Sequence, residues 1–277
     1  MLIKKPFKKG MGTSSAPYYA VAGGDAAQTT AFLARTSGLS GTETNAYKAL
    51  INGLVSDGNF ALLDALYIFA TNTTTTANLN LISTSFGLTK TGTVTFAADV
   101  GYTGDGSTGF LDTGFIPQTG GTNFVLNSAS MGSYILTNRA ANTSIIMSND
   151  NAVTFDIIQP FSAGNVVQWD VNDATFPTAA IASSRQALAI TRTASNATAV
   201  YANGNTTAIG TSAAASVGPL SGASMVFFAR NSNGTKSAFS SDQAAAFFFG
   251  GALTATQSVA INNRINTYMT ALGINVY

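Results

Sequence analysis

Between residues 79 and 253 the chain is a succession of short apolar and β-branched stretches, each closed by turn residues. TVTFAAD (93–99), VTFDIIQPF (153–161), NVVQWDVN (165–172), ALAITRT (187–193), TAVYA (198–202) and AAAFFFG (244–250) have strand length and strand composition. NLNLIS (78–83), NFVLNSA (123–129), GSYILTNR (132–139), SIIMSND (144–150) and SMVFFAR (224–230) extend the series. Many short strands separated by turns predict an antiparallel sandwich, because parallel sheets need helical crossovers that this stretch lacks. Asn203-Gly204 is the strongest hairpin signal, since a type I′ turn requires positive φ at both central residues.

Helical signals bracket this region. Ser40 and Glu43 form a capping-box pattern ahead of Ala46, Tyr47, Leu50, Ile51, Leu54 and Val55, which recur at helical spacing. Asp57-Gly58-Asn59 breaks that helix, and FALLDALYIFA (60–70) is expected to form a second, largely buried one. At the other end Thr254 and Gln257 repeat the capping box, and Ile261, Ile265, Tyr268, Met269 and Leu272 make one apolar stripe. The expected organisation is an extended arm over 1–37, a helical module over 38–77, and a sandwich with its C-terminal helix over 78–277.

The arm carries an unusual share of the positive charge. Lys4, Lys5, Lys8 and Lys9 are four of thirteen basic residues; the remainder holds nine basic and twelve acidic residues, a net of −3. A body of that sign lacks the basic stripe that phosphate neutralisation requires, so nucleic acid is not an expected partner. Phe7, Tyr18 and Tyr19 add apolar anchors to the lysines. Such a segment buries too little area alone to offset its ordering entropy. It is either an attachment arm, anchored through Lys4, Lys5, Phe7, Lys8, Lys9, Tyr18 and Tyr19, or a loose terminus. It has no apolar run of a secretory signal, and no stretch approaches the ~18 apolar residues of a membrane span.

Chemistry is constrained by what is scarce. There is no Cys and no His, and Glu43 is the only Glu. Thiolate chemistry and Ser-His-Asp catalysis are therefore excluded. Glycoside hydrolysis calls for two carboxylates across the scissile bond. The nearest local pair, Asp170 and Asp173 in WDVND, is three residues apart on an expected strand, which points the two to opposite faces. Trp169 beside them is either a sugar platform or a core residue. Asp105 and Asp112 lie in a glycine-rich loop, where isolated Asp residues are ordinary turn formers. No catalytic, cofactor or metal site is expected. The exposed loop NSNGTKS (231–237) and the aromatics near Trp169 are candidate ligand surfaces by exposure and chemistry alone.

Three segments, GYTGDGSTGFLDTGF (101–115), TAVYANGNTTAIG (198–210) and FFFGGALTATQ (247–257), resemble the concanavalin A-like, laminin G-like jelly roll of many phage and bacterial proteins. NAYKALINGLVSDGNFALLDALYIFA (45–70) is similar to the helical segment that precedes this sandwich in virion-associated phage proteins. The resemblance spans roughly residues 40–272. It implies a mainly β protein: an antiparallel jelly-roll sandwich with an N-terminal helical module and a C-terminal helix. It implies a non-enzymatic virion structural protein, a fibre, spike, decoration or tail-associated subunit. Its partners would be other virion proteins of capsid, neck or tail and copies of itself, as in a trimer, with host glycans as ligands. Two alternatives stand beside it, a glycan-cleaving enzyme on the same sandwich and a secreted adhesin. The hydrolases of the family commonly use a strand-borne Glu pair, which this chain lacks.

Overall fold

A computed structural model describes residues 24–277. The chain is a mainly β, antiparallel sandwich of two sheets, with helices laid against the outer face of one of them. That helix-backed sheet runs Gly210–Ser212, Ala197–Ala202, Gln186–Ala194, Ala129–Ile135, Gln243–Gly250, Gly101–Gly104, Val94–Ala97; Leu63–Ile68 also pairs with Gln243–Gly250. The outer sheet runs Thr178–Ala180, Val166–Asp173, Phe155–Ser162, Met147–Asp150, Val226–Phe227, Phe110–Asp112, Thr89–Thr91. A hairpin, Arg230–Ser232 with Thr235–Ser237, joins its middle through Ser232 and Asp150.

Strand alternation divides the apolar residues between two cores. In Gln243–Gly250, Phe247 and Phe249 point between the sheets while Ala246 and Phe248 face the helices. Phe247 stacks on Phe227 of the opposite sheet at 4.3 Å, tying the layers together. Each such side chain contributes ~1.5–3 kcal/mol by leaving water. Gly132, on the neighbouring strand, makes room for this arrangement: a Cβ there would lie 2.1 Å from the Phe248 ring and 2.6 Å from the Leu188 carbonyl.

Both expected capped helices form. In Gly41–Ser56, Ser40 Oγ accepts the Glu43 N–H at 3.1 Å and Glu43 Oε2 accepts the Ser40 N–H at 2.8 Å. In Ala255–Ala271, Thr254 and Gln257 exchange the equivalent bonds. Tyr47 of the first helix meets Tyr268 of the second at 4.8 Å, and Ile261, Ile265 and Met269 complete that buried face.

Several expectations fail for identifiable reasons. Residues 60–70 are not a second helix: Phe60–Leu62 is one 3₁₀ turn and Leu63–Ile68 is a strand with all six residues buried. A continuous apolar run carries no periodicity to separate the two states, and pairing with Gln243–Gly250 decides for the strand. Within 1–37, Ala27–Leu33 is a helix whose Phe32 packs on Tyr47 at 4.9 Å, so the folded body reaches back at least to that helix. Residues 78–83 form turns rather than a strand. Asn203 and Gly204 do adopt positive φ, at 51° and 67°, within a loop longer than a two-residue hairpin.

Candidate functional site

Two surface features offer groups to a ligand, one among loops that pass between the two sheets and one on the outer sheet, at opposite ends of the Met147–Asp150/Phe155–Ser162 strand pair. The first is a polar cleft of about 440 Å³, between the loops at 105–109, 138–145 and 238–242. Ser107, Asn142, Thr143, Ser144 and Ser241 supply hydroxyls and an amide, and half-buried Phe239 supplies a ring. Its wall is braced from behind. Arg139 donates to the Ser144 hydroxyl and, at 3.0 Å, to the Ser144 carbonyl, and pairs with buried Asp242 at 2.9 Å. Desolvation pushes the Asp242 carboxyl up, with Arg139 opposing it. Asn142 Oδ1 holds the Ser144 N–H and hydroxyl at 2.8 and 2.7 Å, which fixes the loop. Neutral hydroxyl donors and acceptors around one ring match an uncharged polyol better than an ion or an apolar ligand.

The second feature is aromatic. Phe176 is the one exposed phenylalanine among the described residues, at 38%. Its ring meets half-buried Phe155 edge-on at 5.0 Å, and the Arg230 guanidinium lies over Phe155 at 5.5 Å. Arg230 in turn makes a two-point contact with buried Asp150, at 2.8 and 3.3 Å. Phe176 sits at φ 53°, a left-handed conformation that costs a bulky residue about 1–3 kcal/mol. It is held there by Asp170 Oδ1, which accepts the Phe176 N–H at 2.9 Å, and by Asp173 Oδ1, which accepts the Thr175 N–H at 3.0 Å.

Beneath that turn lies a sealed polar cluster. Asp156, Asp170, Asp173 and Arg192 are all fully buried. Arg192 reaches across from the helix-backed sheet and binds Asp173 Oδ2 at 2.6 Å and the Val171 carbonyl at 2.6 Å. Asp170 and Asp173 do not point to opposite faces, as regular alternation predicts. Asn172 is an extra residue at φ 54°, the register jumps from Asp156↔Val171 to Phe155↔Asp173, and this bulge brings the two carboxyls together. Burial raises the Asp156 carboxyl to about 7. Burial, reinforced by Asp173, lifts Asp170 far above the usual carboxylate range. Asp156 and Asp170 thus hold their protons more tightly than ordinary carboxyls, beside the Asp173–Arg192 ion pair.

The other sequence candidates resolve as follows. Lys4, Lys5, Phe7, Lys8, Lys9, Tyr18 and Tyr19 lie outside the described residues. Trp169 is completely buried among the inter-sheet residues, so it is core and not a sugar platform. Glu43 is consumed by its helix cap. Asp105 closes on its own loop, accepting from the Ser107, Thr108 and Gly109 N–H groups at 2.8–2.9 Å. Its bonds to Thr108, then those to Ser107 and Gly109, hold the carboxyl well below its ordinary value. Asp112 is engaged by the Gly114 N–H and the Ser224 hydroxyl, both at 2.9 Å. Among the described residues no group of three or more His, Cys, Asp or Glu side chains is arranged to hold a metal, and no helix is long and apolar enough to cross a membrane. In the hairpin 231–237, Asn231 is buried and Asn233 to Thr235 are exposed.

Phe155, Phe176, Phe239 and the loop at 142–144 were not singled out by sequence. Each comes from a different strand end, so no local motif joins them. The Asp-Ala-Thr-Phe-Pro run (173–177) was the one available signal, a turn residue followed by an aromatic fixed ahead of proline.

No family model matches the sequence, and no curated protein matches it. Solved structures do match the fold. Domain 4 of AbnA, a GH43 extracellular arabinanase from Geobacillus stearothermophilus solved with arabinotriose, aligns over 72% of this chain and 97% of its own, at 14% identity and a TM-score of 0.51. The botulinum neurotoxin serotype D binding domain aligns over 73% of this chain and 52% of its own, at 9% identity and a TM-score of 0.47. The likeness to the arabinanase domain establishes a jelly-roll sandwich for this chain.

Proposed function

We propose that this chain is a non-enzymatic, glycan-binding jelly-roll subunit of a bacteriophage particle, a fibre, spike, decoration or tail-associated protein that assembles with copies of itself. The observation that carries the binding half is the braced cleft, which five hydroxyl or amide side chains line together with Phe239. Flexible polar side chains lose entropy when a ligand orders them. Here the Arg139–Asp242 pair and the Asn142 turn have already ordered Ser144. The solved arabinanase domain that shares the fold was bound to an arabinose oligosaccharide, which supports the same ligand class.

The non-enzymatic half rests on where the carboxylates lie. Asp156, Asp170 and Asp173 are sealed, Asp242 is buried and ion-paired, and Glu43 caps a helix. Beside the cleft, Asp105 is engaged by the N–H groups of its own loop and Asp242 is buried against Arg139, so neither is placed as the free acid–base pair of a glycosidase. The particle half rests on the low charge, the absence of cysteine, the lysine-rich first ten residues and the sequence resemblance.

Titration of the whole chain with neutral oligosaccharides tests the binding half. Phe239→Ala is expected to weaken binding at least tenfold with the fold intact, and unchanged affinity would refute the cleft. Electron imaging of whole particles tests the location. Deleting residues 1–23 is expected to prevent incorporation, and normal incorporation would refute the arm. The deletion stops there because Phe32 belongs to the core. Chain found on bacterial cells and absent from particles would favour the adhesin.

A further inference from the structure

We infer that Phe176, Phe155 and Arg230 form a second ligand site, separate from the polar cleft, that stacks the apolar face of a neutral sugar ring. The two features stand at opposite ends of one strand pair. Asn142 is tied to Phe161 and Gln159 near the end of Phe155–Ser162, whereas Phe155 and Asp150 occupy the other end. A single ligand ring cannot touch both.

Three observations converge on this shelf. Phe176 is exposed although phenylalanine is otherwise at least half-buried throughout the described residues. Its backbone is held in an unfavourable left-handed conformation by a buried carboxyl, so the outward ring is imposed by the structure rather than left over from it. A charged pair is fixed beside the rings: Asp150 is fully buried, and its contact with Nε and Nη2 sets the plane of Arg230 over Phe155. Among the described residues Nη1 has no hydrogen-bond partner, which leaves a positioned donor at the edge of the aromatic surface.

The ligand class follows from charge and size. Asp150 neutralises Arg230 at 2.8 Å, so an anionic ligand would compete with a carboxylate already in place. A hydroxylated neutral ring asks less: its C–H face lies on Phe176 and a hydroxyl accepts from Nη1. One exposed ring backed by a second also falls far short of the ~800 Å² per partner of a stable protein interface. The domain would therefore be bivalent for sugar, with cleft and shelf able to hold two residues or branches of one glycan.

The test uses the full chain carrying Phe239→Ala, which disables the cleft, and observes Phe155 and Phe176 ring resonances by NMR. The added ligands are neutral pentose, hexose and N-acetylhexosamine oligosaccharides, with sialylated and uronic-acid oligosaccharides as the anionic arm. Saturable shifts of both rings with a neutral sugar are expected. Phe176→Ala in the same background should weaken binding at least tenfold, and Phe176→Trp should retain or strengthen it. Absence of any ring shift, binding unaffected by Phe176→Ala, or binding of anionic sugars alone would overturn the assignment. Cleft binding is read in the chain with Phe239 intact and Phe176→Ala present, so either site can fail without the other.

Discussion

The two sheets of this sandwich are built from different materials. The helix-backed sheet is mostly apolar on both faces, with Phe247 and Phe249 in one core and Phe248, Ala245 and Ala246 in the other, and Arg192 and Asp64 as its buried charged residues. The outer sheet buries Asp150, Asp156, Asp170 and Asp173 and shows Phe176 and half of Phe155 to solvent. Burying charge and exposing rings is the opposite of what stability alone selects. The contrast assigns the fold's strength to one layer and its chemistry to the other.

The sharpest way to break that contrast is to damage the apolar core and the buried carboxyl cluster of the outer sheet equally and vary pH. Phe247→Ala removes the ring stacked on Phe227 and should cost about 3–5 kcal/mol at every pH. Arg192→Met leaves the buried carboxyls without their guanidinium and should also cost about 3–5 kcal/mol. Its cost should grow as pH rises and Asp156, whose charged form Arg192 favours, ionises. Thermal unfolding of both variants at pH 5 and pH 9 checks this, and parallel pH profiles would contradict it.

Next in size is Asp156→Asn. The Asp156 carboxyl is raised from an ordinary 3.8 to about 7 by burial, so the folded chain holds a proton there that the unfolded chain has released. The associated stability is complete below about pH 4 and is lost as pH rises through 7. Asp170, also raised, prolongs the decline. Asparagine cannot ionise and keeps the Oδ1 acceptor that receives the Asn172 N–H at 2.8 Å. The variant should therefore gain up to ~4 kcal/mol over wild type at pH 8 and nothing at pH 4. Trp169, the only tryptophan and the neighbour of Asp170, reports the transition by fluorescence. Equal midpoints at both pH values would show that the cluster does not hold protons.

Smaller still is Ser40→Ala in the helical layer, where loss of one cap should cost ~1 kcal/mol independently of pH. Phe176→Ala on the outer sheet should change stability by less than ~0.5 kcal/mol, because an exposed ring leaves no cavity. A larger loss on denaturant titration would make that ring a structural element rather than a presented one.

Legibility in the sequence followed the same division. Both capped helices were readable because Ser40/Glu43 and Thr254/Gln257 are local devices that bond within four residues. Most strands were readable from alternation and turns. Leu63–Ile68 was not, since its six buried residues fit either a buried helix or a central strand until Gln243–Gly250 is placed beside it. The Asp170–Asp173 contact was misjudged because one bulged residue, Asn172, reverses the alternation rule. The cleft and the shelf were invisible, for their members join only when strand ends from residues 105 to 242 meet. Missing His, Cys and all but one Glu, by contrast, could be read at once.

The most direct single measurement is a calorimetric titration of wild-type chain and Phe239→Ala with neutral oligosaccharides, followed by recovery and sizing of the sugar. Saturable binding to the wild type, at least tenfold loss in Phe239→Ala, and sugar recovered intact are expected of a binding sandwich. No bound sugar at all, or recovery of shortened products, would contradict a non-enzymatic glycan-binding domain.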